Sequence, residues 1–199
     1  MSPKNKIDII VDLFRKKEVI NIRDAEELGV SRRLLSKWVA AGKIQRVAQG
    51  LYQSMDAVPD DMAVLVAASS RIAISHESAL YLLHLSARSP FRYSATFPKG
   101  VNPPKAFSPT MKKYYISPEL FGIGLSNART PGGSIIPCYN AERTICDILR
   151  SRSRIDSETL YDALRRYSAL RGKDLNRLAE YAAIFHLEKI LPVYLGALL

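Results

Sequence analysis

Two short helices joined by a glycine turn constrain the fold of this 199-residue chain more than any other segment. Asn21 is typical of a helix N-cap, and Asp24 follows in the first turn, where the helix dipole favours negative charge. Gly29 supplies the backbone conformation that a tight turn between two helices needs. Ser31 then predicts the cap of a second helix over residues 32–41.

The second predicted helix has one apolar face and one small, basic face. The apolar face, which we expect to pack on other helices, consists of Leu34, Leu35, Trp38 and Val39. The opposite face consists of Arg33, Ser36, Lys37 and Ala40, with Arg32 at its border. A helix with such a face is able to enter the major groove of duplex DNA.

A predicted hairpin follows this helix directly. Residues 44–47 alternate in polarity as a strand does, residues 48–50 supply a turn with a glycine, and residues 51–53 return. A helix-turn-helix followed by a basic-tipped hairpin predicts a winged helix, with Arg46 and Gln49 placed to contact phosphate or the minor groove. The predicted DNA contacts are therefore Ser31, Arg32, Arg33, Ser36, Lys37, Lys43, Arg46 and Gln49. The alternative is a small helical subdomain with a solvated basic face that docks a protein.

The composition favours a polyanionic partner. The formal net charge is +10, and a surplus of this size attracts nucleic acid through phosphate neutralisation and counterion release. The polar N-terminus and the absence of an 18-residue apolar run argue against export and membrane insertion. Cys138 and Cys146, without metal-type spacing, indicate reduced thiols packed in a core, and we expect a cytoplasmic protein.

We predict an α+β fold with two domains. The first is a winged helix-turn-helix over residues 1–56. The second is a larger mixed domain over residues 57–199, with a small sheet and a C-terminal helical bundle. In the first domain, a helix over residues 6–17 is expected to pack through Ile7, Ile10, Val11, Leu13 and Phe14. Residues 54–59 are predicted to form a linker.

The second domain is predicted to begin with a helix over residues 62–70 and a brief strand or extended link over residues 71–74. Ser75 is expected to cap the next helix. Strands are predicted near residues 93–97, 113–116 and 134–139, where β-branched and aromatic residues alternate with turns. Three further helices are predicted to be capped by Asn140, Asp156 and Asp174, the last with an inward stripe of Leu175, Leu178, Ala179 and Ala182.

Candidate catalytic residues are few. His76 and Glu77 at a helix start are compatible with a catalytic pair, but we favour a Glu77 that stabilises the helix N-terminus. Glu142, Arg143 and Asp147 form either a polar functional cluster or, as we favour, a capped helix with an ion pair between residues 143 and 147. None of the histidines, His76, His84 and His186, belongs to a metal-binding helix pair. We expect no enzyme, no metal and no cofactor.

A second basic surface is predicted in the C-terminal part, for contact with nucleic acid or a protein partner. Its residues crowd two neighbouring loops, where some also complement helix C-termini. They are Arg150, Arg152, Arg154, Arg165, Arg166, Arg171 and Lys173.

Three blocks of the sequence resemble the AbiEi-type antitoxins of bacterial type IV, or abortive-infection, toxin–antitoxin systems. The first is the predicted wing, residues 42–47 with residues 50–52. The second is SHESAL at residues 75–80, followed by TFPKG at residues 96–100. The third is YNAERTICD at residues 139–147, continuing through LYDAL at residues 160–164.

One departure from the resemblance is His84, where that family commonly has glycine. The resemblance implies a phage-defence protein that represses its own promoter at inverted repeats in double-stranded DNA. It also implies antagonism of a nucleotidyltransferase-type toxin without a tight complex, by a monomer or weak dimer that binds DNA cooperatively. Two alternatives for the C-terminal domain are an enzyme that reverses the toxin's modification through Glu77, Glu142 or Asp147, and a protein-docking module with a basic face.

Overall fold

The computed structural model describes residues 6–69, 71–103 and 111–196, and for Lys6, Ile7 and Lys16 only the backbone. The chain divides into two compact units, Met1–Ser70 with Arg129–Ile135 and Arg71–Ala128 with Ile136–Leu199. Both helices and strands contribute, so the predicted α+β class is confirmed. The first unit extends beyond the predicted boundary between residues 56 and 57, and it also takes in a segment from the second half of the chain.

The first unit contains a winged helix followed by one more helix. Its elements are α1 (Lys6–Lys16), β1 (Val19–Asn21), α2 (Ile22–Glu27), α3 (Arg32–Ala40), β2 (Ile44–Ala48), β3 (Leu51–Ser54) and α4 (Asp61–Ala67). The three strands form an antiparallel sheet in the order β1-β3-β2, so β2 and β3 are the predicted wing. The sequence did not reveal β1, because three residues are too few to show a strand periodicity.

Local hydrogen bonds explain the boundaries of the helix-turn-helix. Asn21 Oδ1 accepts from the Asp24 backbone N–H at 2.9 Å, and the Asp24 carboxylate accepts from the Asn21 N–H at 3.2 Å, which is a reciprocal capping box. Gly29 adopts a φ of +76° in the turn. Ser31 Oγ accepts from the Leu34 N–H at 3.4 Å and caps α3. The predicted caps and turn are confirmed.

The core of the first unit lies between α1, the helix-turn-helix and the sheet. It is built from Ile10, Ile20, Ala25, Val30, Leu35, Trp38, Ile44 and Tyr52. In α1 the prediction is correct for Ile10, while Leu13 and Phe14 are half-buried. Val11 is 45% exposed, so its predicted packing is wrong. The side chain of Ile7 lies outside the described residues.

The segment from the second half of the chain joins the first unit through polar contacts. Asp60 caps α4 by accepting from the Ala63 N–H at 3.0 Å, and it also accepts from the Thr130 hydroxyl. Gly132 packs on Asp60 so closely that a Cβ atom there would lie 2.8 Å from Asp60 Oδ2. These contacts show why a turn far away in sequence belongs to this unit.

The second unit combines a mixed sheet with a helical layer. Its elements are β4 (Ala73–Ile74), α5 (His76–Leu82), β5 (Tyr93–Pro98), β6 (Met111–Ile116), α6 (Pro118–Phe121), β7 (Leu125–Arg129), β8 (Ile135–Tyr139), α7 (Ala141–Arg150), α8 (Ser157–Ala169), α9 (Leu175–Ile184) and α10 (Leu191–Leu195). The strand order is β6-β5-β4-β8-β7. β4 pairs antiparallel with β5 and parallel with β8, while β5 and β6 are parallel. The three strands predicted from sequence are confirmed, whereas β7 and α6 were not predicted.

Three predicted helix caps of this unit are confirmed. Asn140, Asp156 and Asp174 each accept, at 2.9 Å, a hydrogen bond from the backbone N–H three residues further on. Ser75 does occupy the N-cap position of α5, but its side chain does not cap the helix. Its hydroxyl instead accepts from the Thr96 hydroxyl at 2.9 Å, because a buried hydroxyl group takes the partner that the neighbouring strand offers.

The inward stripe predicted for α9 is only half right. Leu178 and Ala182 are buried in the core of the unit. Leu175 is 44% exposed and Ala179 is also exposed. The helical period therefore predicted four buried residues in α9, whereas the helix packs on the core through only two of them.

The backbone conformation at His84 explains how a histidine replaces the glycine that is common there in the AbiEi-type antitoxins. His84 adopts a φ of +58° directly after the end of α5, and the Leu85 N–H donates to the Leu80 carbonyl at 2.8 Å. This is the left-handed helix ending for which glycine is the usual residue. His186 follows α9 with a φ of +57°, and the Leu187 N–H closes the same kind of turn. The chain therefore keeps the conformation that glycine would supply.

We predict that Gly124→Ala destabilises the chain more than Gly100→Ala. Both glycines have a positive φ, +73° and +87°, so each alanine costs about 1–2 kcal/mol of backbone strain. At Gly124 the added Cβ would lie 2.5 Å from Cβ of the buried Arg143, whereas at Gly100 it meets nothing within 4 Å. The free energy of unfolding measured in urea would show the difference, and equal losses would contradict it.

Candidate nucleic-acid interface

The side chains that the sequence predicted to contact DNA are all accessible. Each of Ser31, Arg32, Arg33, Ser36, Lys37, Lys43, Arg46 and Gln49 is exposed. The recognition surface, as we call these eight residues, is formed by α3 and the wing of the first unit. Its accessibility satisfies the first requirement of a nucleic-acid interface.

The orientation of α3 is fixed by its buried side. Leu35 is fully buried and Trp38 is 6% exposed, and both belong to the core of the first unit. Arg33, Ser36 and Lys37 lie on the opposite side of the same helix. Burial of two large apolar side chains therefore holds the basic face of α3 toward solvent.

Ion pairs divide the cations of the first unit into two groups. Arg32 Nε contacts Glu26 Oε1 at 2.9 Å, and Lys17 Nζ contacts Asp24 Oδ1 at 2.9 Å. Among the described residues, no ion pair engages the cations of the second group, which include Arg23, Arg33, Lys37, Lys43 and Arg46. These unpaired charges are the ones available to phosphate or to base edges.

Arg23 is an accessible cation that the sequence reasoning missed. It lies in α2, the first helix of the helix-turn-helix, and is exposed. The signal available in the sequence was its position two residues after the Asn21 cap, on the side of α2 opposite the buried Ala25.

The wing is held to the helix-turn-helix by backbone contacts. The Ile22 N–H at the start of α2 donates to the Gly50 carbonyl at 2.8 Å, and Gly50 has a φ of +73°. At the tip, Arg46 Nε donates to the Ala48 carbonyl at 3.3 Å, beside an irregularity in the pairing of β2 with β3. A backbone hydrogen bond to the start of α2 therefore positions the wing. The Gln49 side chain in the turn of the wing remains exposed.

A second group of candidate residues lies in the second unit around His76. This histidine is 3% exposed and has a φ of +49°, and its ring stacks on that of Tyr114 with 3.4 Å between centroids. Its Nδ1 lies 2.9 Å from Ser75 Oγ and its Nε2 lies 3.1 Å from Ser151 Oγ. The ring therefore has a hydroxyl partner at each nitrogen.

Burial lowers the pKa of His76 well below its usual value, and the surrounding cations lower it further. The cations that contribute, in decreasing order, are Arg143, Arg150, Arg154 and Lys112. His76 is therefore neutral at physiological pH, with one nitrogen as donor and the other as acceptor.

The carboxylates that could have served catalysis are engaged in structural contacts. Glu77 contacts Lys112 Nζ at 2.5 Å and accepts from the Ser94 hydroxyl at 2.8 Å, so it joins α5 to β5 and β6. Glu142 accepts from the Tyr167 hydroxyl at 3.3 Å and from the Asp174 N–H at 3.0 Å. It therefore anchors α8 and the start of α9 to α7.

The ion pair predicted within α7 is present. Arg143 Nε contacts Asp147 Oδ2 at 3.1 Å, and both side chains are almost wholly buried. Burial raises the pKa of Asp147, while the guanidinium groups of Arg143 and Arg150 oppose that shift. In the described part of the chain, no group of three or more His, Cys, Asp or Glu side chains is arranged to hold a metal ion.

Several members of the second predicted basic surface have partners within the chain. Arg165 and Arg166 both pair with Asp162, at 2.8 and 2.7 Å. Arg152 Nη1 donates to the Leu149 carbonyl at 3.0 Å, and Lys173 Nζ donates to the Leu170 carbonyl at 3.4 Å. The remaining members, Arg150, Arg154 and Arg171, are exposed. Arg150 and Arg154 lie near His76.

The two cysteines are core residues, as predicted. Cys138 and Cys146 are buried and free. Burial raises the pKa of each thiol to about 12, so both are protonated and unreactive as nucleophiles at neutral pH.

The fold and exposed basic face of the first unit place it in the winged-helix class of DNA-binding domains. Residues 8–54 match the family model described as "Transcriptional regulator, AbiEi antitoxin". The match confirms the resemblance for this part of the chain and supports the role of a DNA-binding antitoxin and transcriptional regulator.

One solved structure extends the fold comparison to nearly the whole chain. The crystal structure of the RV2827C protein from Mycobacterium tuberculosis is similar with a TM-score of 0.59 and 14% sequence identity, covering 96% of this chain and 78% of that one. At this identity the similarity shows a shared fold alone. No curated protein matches the chain. Within the described ranges, every helix is too short or too polar to cross a membrane.

We predict that acid destabilises the chain through His76. Its folded-state pKa lies below its unfolded value of about 6.5, so protons bind the unfolded state preferentially, and stability is lost as pH falls below 6.5. The loss approaches about 1.4 kcal/mol per pH unit. His76→Asn should flatten the dependence between pH 6.5 and 5, because asparagine tolerates the left-handed backbone. His84→Asn, at an exposed residue with a φ of +58°, is the matched control and should retain the wild-type slope in urea titrations.

Proposed function

We propose that the chain is a DNA-binding antitoxin of a type IV toxin–antitoxin system. It represses its own promoter at inverted repeats and opposes a nucleotidyltransferase-type toxin. The observation that carries the proposal is the exposed, unpaired basic face of α3 in a winged helix whose sequence matches the AbiEi antitoxin regulators.

In the proposed complex, α3 enters the major groove of the operator. Arg33 and Ser36 contact base edges, since a guanidinium can make two hydrogen bonds to guanine. Lys37 and Lys43 contact flanking phosphates, which position the helix without reading sequence. Ser31 and Arg32 contact the DNA backbone at the start of α3.

The wing makes a separate contact in the proposed complex. Arg46 and Gln49 hold it to the DNA backbone or to the minor groove.

We propose that the protein is a monomer or weak dimer in solution and binds DNA cooperatively. Inverted repeats present two copies of the half-site, spaced by about one helical turn or a multiple of it. Two molecules bound at adjacent half-sites then stabilise each other on the DNA.

Neutralisation of the toxin is assigned to the second unit, without a tight complex between the two proteins. No enzymatic step, membrane or cofactor enters the proposal, and the protein acts in the cytoplasm. Its biological setting is defence against phage by abortive infection.

Arg33→Ala should relax base preference. Loss of a bidentate contact would cost about 1–3 kcal/mol on the operator and much less on random DNA. Arg32→Ala is the matched control and should cost less, because the Arg32 guanidinium already pairs with Glu26 at 2.9 Å. Gel shifts on both DNAs give the affinities, and equal losses on operator and random DNA for Arg33→Ala would refute the base-reading role.

Lys43→Ala should weaken binding to all sequences alike. A lysine that neutralises one phosphate releases one counterion, so its loss lowers the slope of log affinity against log salt concentration by about one. Titrations at several salt concentrations measure the slope. An unchanged slope would show that Lys43 does not contact phosphate.

The double variant Arg33→Ala/Lys37→Ala should lose repression and still neutralise the toxin, because both substitutions lie on the exposed face of α3 in the first unit. Repression is measured with a promoter reporter and neutralisation by growth during co-expression with the toxin. The variant should melt like the wild type. Loss of neutralisation in a folded variant would contradict the division of roles between the two units.

A further inference from the structure

The second unit contains a polar cavity that the proposed DNA binding does not use. Its volume is about 140 Å³. It is lined by the start of α5, by β5 and β6 and by one side of α7, namely by His76, Thr96, Tyr114, Tyr115, Ile116, Arg143, Asp147, Arg150 and Ser151. Residues of the second and third sequence blocks, 75–80 and 139–147, meet there although they lie far apart in the chain.

The backbone at this cavity is strained at His76. His76 is a buried, non-glycine residue with a φ of +49°. Its ring is fixed by hydroxyl groups at both nitrogens and by stacking on Tyr114. Strain of this kind persists where surrounding contacts enforce it, and it concentrates at binding and catalytic sites.

Two polar atoms on residues that line the cavity lack hydrogen-bond partners among the described residues. They are the hydroxyl of Tyr114 and Nη2 of Arg143, and both are buried. The rest of the Arg143 guanidinium is well held, with Nε on Asp147 at 3.1 Å and Nη1 on the Ile123 carbonyl at 2.6 Å. A buried charged donor of this kind ordinarily has an ordered water or a bound ion as its partner.

The charge at the cavity favours an anion. Arg143 and Arg150 share one carboxylate, that of Asp147, at 3.1 and 3.4 Å. Arg154 lies 4.3 Å over the ring of Tyr114, and it makes no ion pair among the described residues. His76 is neutral and adds no charge. The arginines therefore outnumber the carboxylates around the cavity.

The volume limits the ligand to a small group. Sites that enclose a whole nucleotide or drug-sized molecule have about 300–1,000 Å³, more than this cavity offers. We propose that the cavity binds a tetrahedral oxyanion of the phosphate type, either free or as the phosphoryl end of a larger molecule. Its donors are the unpartnered Nη2 of Arg143, the exposed guanidinium of Arg150 and the hydroxyl of Ser151, which His76 orients.

Titration calorimetry of the full chain with inorganic phosphate, at constant ionic strength in chloride, tests the proposal. We expect saturable binding at one site per chain. Arg150→Gln should weaken it about 10- to 100-fold, as expected for one charge-assisted hydrogen bond, and Ser151→Ala about 2- to 10-fold. Arg171→Gln removes the same charge from an exposed residue that does not line the cavity, and it should change nothing.

Adenosine monophosphate and adenosine separate the two sources of the anion. Tighter binding of the monophosphate than of phosphate would assign the cavity to the phosphoryl end of a larger molecule, and equal affinities would assign it to free phosphate. Absence of saturable phosphate binding would overturn the proposal. So would equal losses in Arg150→Gln and Arg171→Gln, or adenosine binding as tightly as its monophosphate.

The proposal is independent of DNA recognition. Lys37→Ala, which changes the recognition surface of the first unit, should leave phosphate affinity unaltered. A failure of operator binding and a failure of phosphate binding are therefore distinguishable in the same set of proteins.

Discussion

Burial of Leu35 and Trp38 is the constraint on which the recognition surface depends. Both side chains are held in the core of the first unit, with Ile20 from β1 and Tyr52 from β3. Rotating α3 about its axis would expose these side chains, each worth about 1.5–3 kcal/mol of burial. The basic face consequently has one stable orientation, and the wing contributes Ile44 and Tyr52 to the same core.

A comparable role in the second unit belongs to Arg143. Its guanidinium lies between the rings of Tyr139 and Phe185, at 4.1 and 4.3 Å from their centroids. It also donates to the carbonyl of Leu120 in α6 and to that of Ile123 just after this helix. A buried charge is tolerated only when it is paired and hydrogen-bonded. The close approach of Gly124 to its Cβ shows that the chain packs around this arginine. One buried cation thus joins α7, α9 and the loop before β7.

How far the sequence predicted the structure depended on the range of the interactions. Caps such as Asn21, Asn140 and Asp156 were correctly identified, because each bonds to a backbone N–H three residues away. Ser75 had the right position but a different partner, since the Thr96 hydroxyl that it meets lies 21 residues further along the chain. Short strands such as β1 and β7 were missed, because their pairing partners, rather than their own periodicity, make them strands.

The sequence by itself determined the helix-turn-helix, the wing and the face of α3 that carries the cations, because helical period and capping are local properties of a few neighbouring residues. Only the tertiary structure decided which of those cations are paired, that Asp60 binds the turn at Thr130, and that His76 shares a cavity with Arg143 and Ser151. These contacts join residues far apart in the chain. Ion pairing, burial and backbone strain depend on the folded surroundings, and no pattern along the sequence encodes them directly.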